Sequence, residues 1–233
     1  AYVNGNLAIL VEGLQYSSDG FKRLDDGGDT GFERNDINLK MRWKPQTKLQ
    51  QTLTLKLGFA DEDADETYLG LADSDFAIDP LRRYPASQLD RFQSEHRQIH
   101  IGHSMTLESG MDVNTKLYLN EFDRSWNKFS GFMDGPKAQD VLRDPGDYLG
   151  AYRTLAGTTD STVGDFTDLT LDITDNDREY RSQGVQFELS HRASFWGLDH
   201  QIDVGLRYHE DQVRRRHQQR SYLMRSAQLV SDG

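Results

Sequence analysis

Residues 61–96 read DEDADETYLGLADSDFAIDPLRRYPASQLDRFQSEH. The stretch is too polar and too irregular for a core element, yet it is crowded with Tyr, Phe and Arg. Its flanks are of another kind. Upstream, Leu53, Leu55, Leu57 and Phe59 alternate with Thr54, Lys56 and Gly58; downstream, Ile99, Ile101, Met105 and Leu107 alternate with Gln98, His100, Ser104 and Thr106. A period of two marks strands with one apolar and one polar face. Residues 61–96 are therefore expected to form a long loop hung between two strands, and to be the functional end of the protein.

The alternation recurs on both sides. Residues 7–16 (LAILVEGLQY) give way to a Gly- and Asp-rich stretch, and Ile37, Leu39, Met41 and Trp43 then alternate with Asn38, Lys40 and Arg42. A short turn at residues 45–48 precedes the strand before the loop. Another, Glu108-Ser109-Gly110, follows the strand after it and leads to Val113, Thr115, Leu117 and Leu119. A second long polar stretch occupies about residues 124–177, with Gly and Pro throughout, and no helix is expected to intervene. Val185, Phe187 and Leu189, the turn Phe195-Trp196-Gly197, and then Ile202, Val204, Leu206 and Tyr208 resume the pattern.

The spacing predicts antiparallel strands over residues 6–17, 32–44, 49–60, 96–107, 111–123, 179–192, 200–211 and 218–229, each paired with its sequence neighbour. The connections alternate long and short, with the last expected to be long. Strands of such length, with short turns at one edge and long loops at the other, describe a transmembrane β-barrel. Trp43 and Trp196 fall at short turns, where an interfacial aromatic girdle would place them. A soluble antiparallel sandwich or lipocalin-like barrel is the competing reading. A structureless loop of about 50 residues speaks against it, because such loops are rare in compact domains.

Composition sets limits without deciding. The 233 residues are 36% hydrophobic and 28% charged, with a net charge of −11, which disfavours nucleic acid as a partner. There is no Cys, hence neither a disulfide framework nor a thiolate metal site. No apolar run is long enough for a membrane-spanning helix. That excludes nothing for a barrel, whose strands show an apolar side chain only at every second position.

Three sequences, DGFKRLDDGGDTGFERNDINLKMRW (residues 19–43), DEDADETYLGLADSDFAIDPLRRYPASQLDR (61–91) and DVGLRYHED (203–211), resemble the barrel of TonB-dependent outer-membrane receptors, most closely their ferric-citrate (FecA-like) branch. The similarity spreads over residues 11–216. It implies an all-β fold, an antiparallel transmembrane β-barrel segment with long extracellular loops. It also implies a place in the outer membrane of a Gram-negative bacterium, in contact with lipid and lipopolysaccharide. The family's barrel has 22 strands, an N-terminal plug and a TonB box, whereas this chain has room for about eight strands. Residues 1–233 are thus expected to be an internal part of a receptor barrel domain without its plug. The expected function is capture of a ferric siderophore or citrate complex and its import by TonB-ExbB-ExbD acting through the plug. No cofactor is expected beyond the transported chelate. A passive porin or adhesin-like barrel is the alternative. An outer-membrane hydrolase would need a catalytic dyad or triad that is not visible, so no enzyme is expected.

Several motifs have plainer readings. Asp29-Thr30-Gly31 spells an aspartic-protease triplet but lacks apolar flanks and a second copy, and reads as a turn. Asp61, Asp63 and Asp65 imitate a calcium loop, but Glu66 and Ala72 stand where Gly and Glu are needed. His100 and His103 point to opposite faces of a strand, and His96 lies roughly 13 Å from His100; no shared metal is expected. Arg214-Arg215-Arg216 reads as balancing surface charge. Arg82 and Arg83 are different, because Arg91 and Arg97 recur in or beside the same loop among Tyr68, Phe76, Tyr84 and Phe92. Guanidinium groups bind carboxylates bidentately, so Arg82, Arg83, Tyr84, Arg91 and Arg97 are the candidate ligand-binding residues. The resemblance points the same way, since arginines in the family's outer loops grip the ferric dicitrate complex.

Overall fold

A computed structural model describes residues 1–164 and 168–232. In chain order its elements are β1 (Tyr2–Asn4), β2 (Leu7–Ser18), β3 (Arg23–Leu24), β4 (Phe32–Trp43), β5 (Gln50–Ala64), α1 (Asp73–Ile78), β6 (Arg82–Arg83), β7 (Arg91–Thr106), β8 (Asp112–Phe132), α2 (Ala138–Arg143), α3 (Leu149–Leu155), β9 (Leu171–Phe195), β10 (Leu198–Arg225) and β11 (Gln228–Ser231). Nine strands form one antiparallel sheet in the order β1-β2-β4-β5-β7-β8-β9-β10-β11. Only β3 and β6 stand apart, as a two-stranded parallel pair between two loops. The fold is all-β, a segment of barrel wall with its long connections gathered at one end.

Register makes the sheet two-faced. Ile9, Met41, Leu55, Ile101, Leu117, Val185 and Tyr208 stand opposite one another across seven strands. One residue along, the row on the other face is Leu10, Lys40, Lys56, His100, Tyr118, Gly184 and His209. Side chains alternate across a strand, so an apolar band about three rows deep covers one face while the opposite face stays polar. Lys40, Arg42, Lys56, His100, Lys116 and Glu188 line a hollow in the sheet. Gly184 sits in that polar row because a side chain there has no room: a Cβ would lie 2.4 Å from the Tyr208 carbonyl and 2.5 Å from the Tyr118 hydroxyl. The Tyr118 ring crosses the gap to hydrogen-bond His209 at 2.5 Å and accept from Arg207 at 3.0 Å.

The strands run past the ends that alternation predicts. β5 continues to Ala64, β7 begins at Arg91, β8 continues to Phe132 and β9 begins at Leu171. Asp61 and Asp63 are accordingly strand residues and not the start of a loop. Over residues 61–63 and 214–216 both faces are polar, so the period-two signal vanishes although pairing goes on. Charged and polar cross-strand pairs take over: Arg34–Glu62 at 2.9 Å, Arg91–Asp63 at 2.6 Å, Arg181–Glu121 at 3.7 Å and Arg214–Glu179 at 3.7 Å. The same effect corrects the last predicted strand. Residues 218–229 are not a separate strand after a long connection; β10 runs unbroken through the arginine cluster to Arg225. It then reverses through Ser226 and Ala227, both at positive φ, into β11. With the short β1 and β11 at its edges, the sheet has nine strands where about eight are expected.

The long connections also differ from the expectation of structureless loops. Residues 65–90 carry α1 and β6, and residues 133–170 carry α2 and α3. The helical signal was present at Tyr148, Leu149, Tyr152, Leu155 and Ala156, spaced by three and four. Helix α3 ends on Gly157 at φ +69°, which only glycine adopts freely. A Cβ there would also come within 2.8 Å of Pro85 and 3.0 Å of Ala227.

Candidate ligand-binding end of the sheet

The most deeply buried part of the protein is at the loop end. Tyr84, Phe129, Val141, Leu155, Leu171, Ile173 and Met224 are its largest fully buried apolar side chains, and they form one cluster with Leu69, Ala86, Ala151 and Leu169. These residues come from the strand ends and from both long connections. A stretch too polar to look like core contributes Leu69, Tyr84 and Ala86. Sparse apolar residues in each loop have no periodicity of their own and become a core only where several loops meet.

Polar contacts lock the same assembly. Asp75 of α1 accepts hydrogen bonds from Tyr84 and from Tyr152 of α3, each at 2.5 Å, and lies 3.4 Å from the Arg82 guanidinium. Burial pushes the Asp75 carboxyl up, but the two phenols and the charge of Arg82 outweigh it and hold it below its ordinary value. The Tyr84 phenol is pushed well above its usual range by burial and by Asp75. Arg82 also grips Asp25 through both carboxylate oxygens at 2.9 and 2.8 Å, and Arg23 pairs with Asp79 at 2.8 Å. The β2–β4 connection, residues 19–31, is thereby tied to the β5–β7 connection, residues 65–90, and Asp75 with Tyr152 ties the latter to residues 133–170. Gln88 donates to the Ala227 carbonyl at 2.5 Å and accepts from the Leu229 amide at 3.2 Å, which adds the β10–β11 turn. All four connections at this end form one cap.

Asp90 closes the cap from beneath. Its carboxylate accepts the Tyr68 amide at 3.0 Å and the Phe129 amide at 2.8 Å. Burial pushes its pKa up to about 7, although both amides act to lower it. A proton is thus held more tightly in the folded cap than in the unfolded chain. This group's contribution is most favourable to folding at acid pH and is lost as the pH rises through about 7. Thermal loss of near-ultraviolet circular dichroism should come at higher temperature at pH 5.5 than at pH 8, and Asp90→Asn should flatten the difference. An unchanged pH slope in that variant would exclude Asp90 as its source.

The structure divides the five candidate residues. Tyr84 is buried completely and belongs to the core. Arg82 is committed to Asp25 and Asp75, with its guanidinium over the Tyr84 ring. Arg83 hydrogen-bonds the Pro80 and Arg82 carbonyls, and burial lowers its pKa. Arg91 and Arg97 lie on β7, paired with Asp63 and Glu95, and keep 51% and 58% of their side-chain surface exposed. Arg82 and Arg83 thus sit in the cap, while Arg91 and Arg97 stand six residues apart on the sheet below it. The aromatics divide likewise. Phe92 and Tyr68 pack on Trp126, and the Lys128 ammonium sits 3.9 Å from the Tyr68 ring centre. Phe76 is exposed.

The other motifs have settled places. Asp29 Oδ1 accepts the Thr30 and Gly31 amides at 2.8 and 3.0 Å, so the Asp-Thr-Gly triplet is a turn. His100 hydrogen-bonds Asn120 at 3.1 Å on the polar face, and His103 contacts Gln51 at 3.0 Å on the other. Trp43 lies at the short-turn end, and Trp196 forms the β9–β10 turn tip, 91% exposed.

No family model and no curated protein match the chain. Among solved structures, that of the ferric citrate transporter FecA in its unliganded form is similar, with a TM-score of 0.61 and 17% sequence identity. The match covers 99% of this chain and 27% of that one, so the chain spans about a quarter of the transporter's length. The likeness establishes the fold: this sheet follows the course of part of a transporter's barrel.

Proposed function

We propose that the chain is part of an outer-membrane receptor that binds a ferric chelate of the ferric-citrate type and passes it inward with energy from TonB. The observation that carries this reading is the one-ended construction of the sheet. An apolar band suited to lipid covers one face, short turns close one end, and an interlocked cap surmounts the other. Likeness to part of a ferric citrate transporter supports the same conclusion. The plug through which TonB, ExbB and ExbD would act belongs to the rest of such a receptor, and residues 1–233 are its barrel domain in part. In this reading the apolar band meets outer-membrane lipid and the cap meets the outside, with lipopolysaccharide around it. Arg91 and Arg97 carry exposed guanidiniums on the face of the apolar band, beyond its edge toward the cap, Arg83 offers a further one at the cap, and Arg82 and Tyr84 hold the loop in shape. A built cap distinguishes this reading from that of a passive porin, whose conduction needs no interlocked loops.

The test is a titration of the intact receptor with ferric citrate. Charge-assisted contacts are worth about 1.5–3 kcal/mol each. Arg91→Ala combined with Arg97→Ala should therefore weaken binding roughly a hundredfold, and Arg→Lys should recover only part, because an ammonium cannot reproduce the fork. Full affinity in the double variant would remove these arginines from the site. Failure of the unaltered receptor to bind ferric citrate would remove the chelate.

A further inference from the structure

Three arginines stand directly opposite one another on adjacent strands. Arg124 of β8 faces Arg178 of β9, and Arg178 faces Arg215 of β10. They lie on the polar face, in the alternation that carries His100, Tyr118 and Arg207. Like charges in direct cross-strand register destabilise a sheet. Asp61, Glu95, Asp123 and Glu179 stand in such a register on the opposite face, but other arginines at this end have carboxylates: Arg34 has Glu62, Arg181 has Glu121, Arg214 has Glu179 and Arg220 has Asp175. Among the described residues none of the three takes part in an ion pair, in a chain of net charge −11.

Their contacts are neutral instead. Arg178 donates to Asn176 at 3.4 Å and to the Tyr180 hydroxyl at 3.2 Å, Arg215 meets His217 Nδ1 at 3.2 Å, and Arg124 lies over the Trp126 ring at 5.7 Å. Phe122 and Tyr180, with ring centres 6.0 Å apart, flank the row on the side of the apolar band, and Trp126 flanks it on the side of the cap. An acidic chain has thus left three adjacent guanidiniums without acids, between aromatic rows, directly below its cap.

We propose that Arg124, Arg178 and Arg215 form a binding site for a small polycarboxylate, each guanidinium taking one carboxylate. Neighbouring strands are about 4.8 Å apart, so the row spans roughly 10 Å. A single tetrahedral oxyanion bridges one gap; a tricarboxylate bridges both. The planar fork of each guanidinium matches a carboxylate in two hydrogen bonds. The inference rests on the receptor reading for the direction from which ligand arrives, and needs no iron at the row.

Iron-free citrate, inorganic phosphate and acetate are titrated calorimetrically into the intact receptor in detergent. Citrate should bind more tightly than phosphate, and acetate least. Arg178→Gln should weaken citrate about tenfold or more, and Arg178→Lys should fall between. Arg216→Gln, one residue along from the row and on the opposite face, should change nothing. Without anion, Arg178→Gln should raise the melting temperature by relieving like-charge repulsion, and the rise that citrate gives the unaltered receptor should disappear. A purely structural arginine would lower it. Equal citrate affinity in Arg178→Gln, equal loss in Arg216→Gln, phosphate binding as tightly as citrate, or no citrate binding would each overturn the proposal. The two readings fail separately. Unchanged affinity for iron-free citrate in Arg178→Gln, in a receptor that still binds ferric citrate, overturns this site alone. Citrate binding at the row, in a receptor that ignores ferric citrate, overturns only the chelate reading.

Discussion

Phe129→Ala should cost the cap about 3–5 kcal/mol, the range for emptying a buried aromatic position. Phe129 is almost fully buried, packs edge-on against Phe132 with ring centres 5.7 Å apart, and gives its amide to Asp90. The cavity would open between residues of both long connections, and neither loop has a core of its own into which to collapse. Limited proteolysis should therefore show residues 65–90 and 133–170 becoming sensitive together, while far-ultraviolet circular dichroism reports the sheet intact. Phe76→Ala, at an exposed position of α1, should leave both loops resistant. If only residues 133–170 were cut in Phe129→Ala, the two loops would be independent units and the shared core would lose its meaning.

Leu55→Arg should be nearly as costly, for a different reason. Leu55 lies within the apolar band, between Met41 and Ile101 in the same row. In the outer-membrane reading that row faces hydrocarbon, where an arginine costs about 2–4 kcal/mol near the midplane. Thr54→Arg, one residue away, puts the same charge on the polar face opposite Arg42 and should cost about 1 kcal/mol or less, the scale of a like-charge cross-strand pair. The comparison is read from equilibrium unfolding of both variants in lipid vesicles. Equal costs would mean that the band meets something other than lipid. Cheaper insertion of Leu55→Arg than of Thr54→Arg would mean that the faces are reversed.

Both predictions draw on parts of the molecule that were unequally legible. Alternation over residues 37–43, 53–59, 99–107 and 185–189 was sufficient to place strands, faces and neighbour pairing, because a half-buried strand writes its geometry into every second residue. The gathering of the long connections at one end was legible too, from the asymmetry of connection lengths. The extended strand ends were not. From Asp61 onward on β5, and through Arg214–Arg216 on β10, both faces are charged, and pairing there depends on partners such as Glu62 for Arg34 that lie on other strands.

The candidate site shows the same division. Residue types were enough to single out arginines and aromatics in one loop, and Arg91 and Arg97 do keep exposed guanidiniums. Their sequence proximity to Arg82 and Tyr84 did not decide what each would do. Asp25 and Asp75 claimed Arg82, and the core claimed Tyr84. The row of Arg124, Arg178 and Arg215 was invisible for the converse reason. Its members are 54 and 37 residues apart in sequence, and only the register of β8, β9 and β10 sets them side by side. Periodicity is a local property that one strand carries alone, so the sequence by itself determined the sheet and its two faces. Charge pairing and core membership depend on which strands and loops become neighbours, and those only the tertiary structure decided.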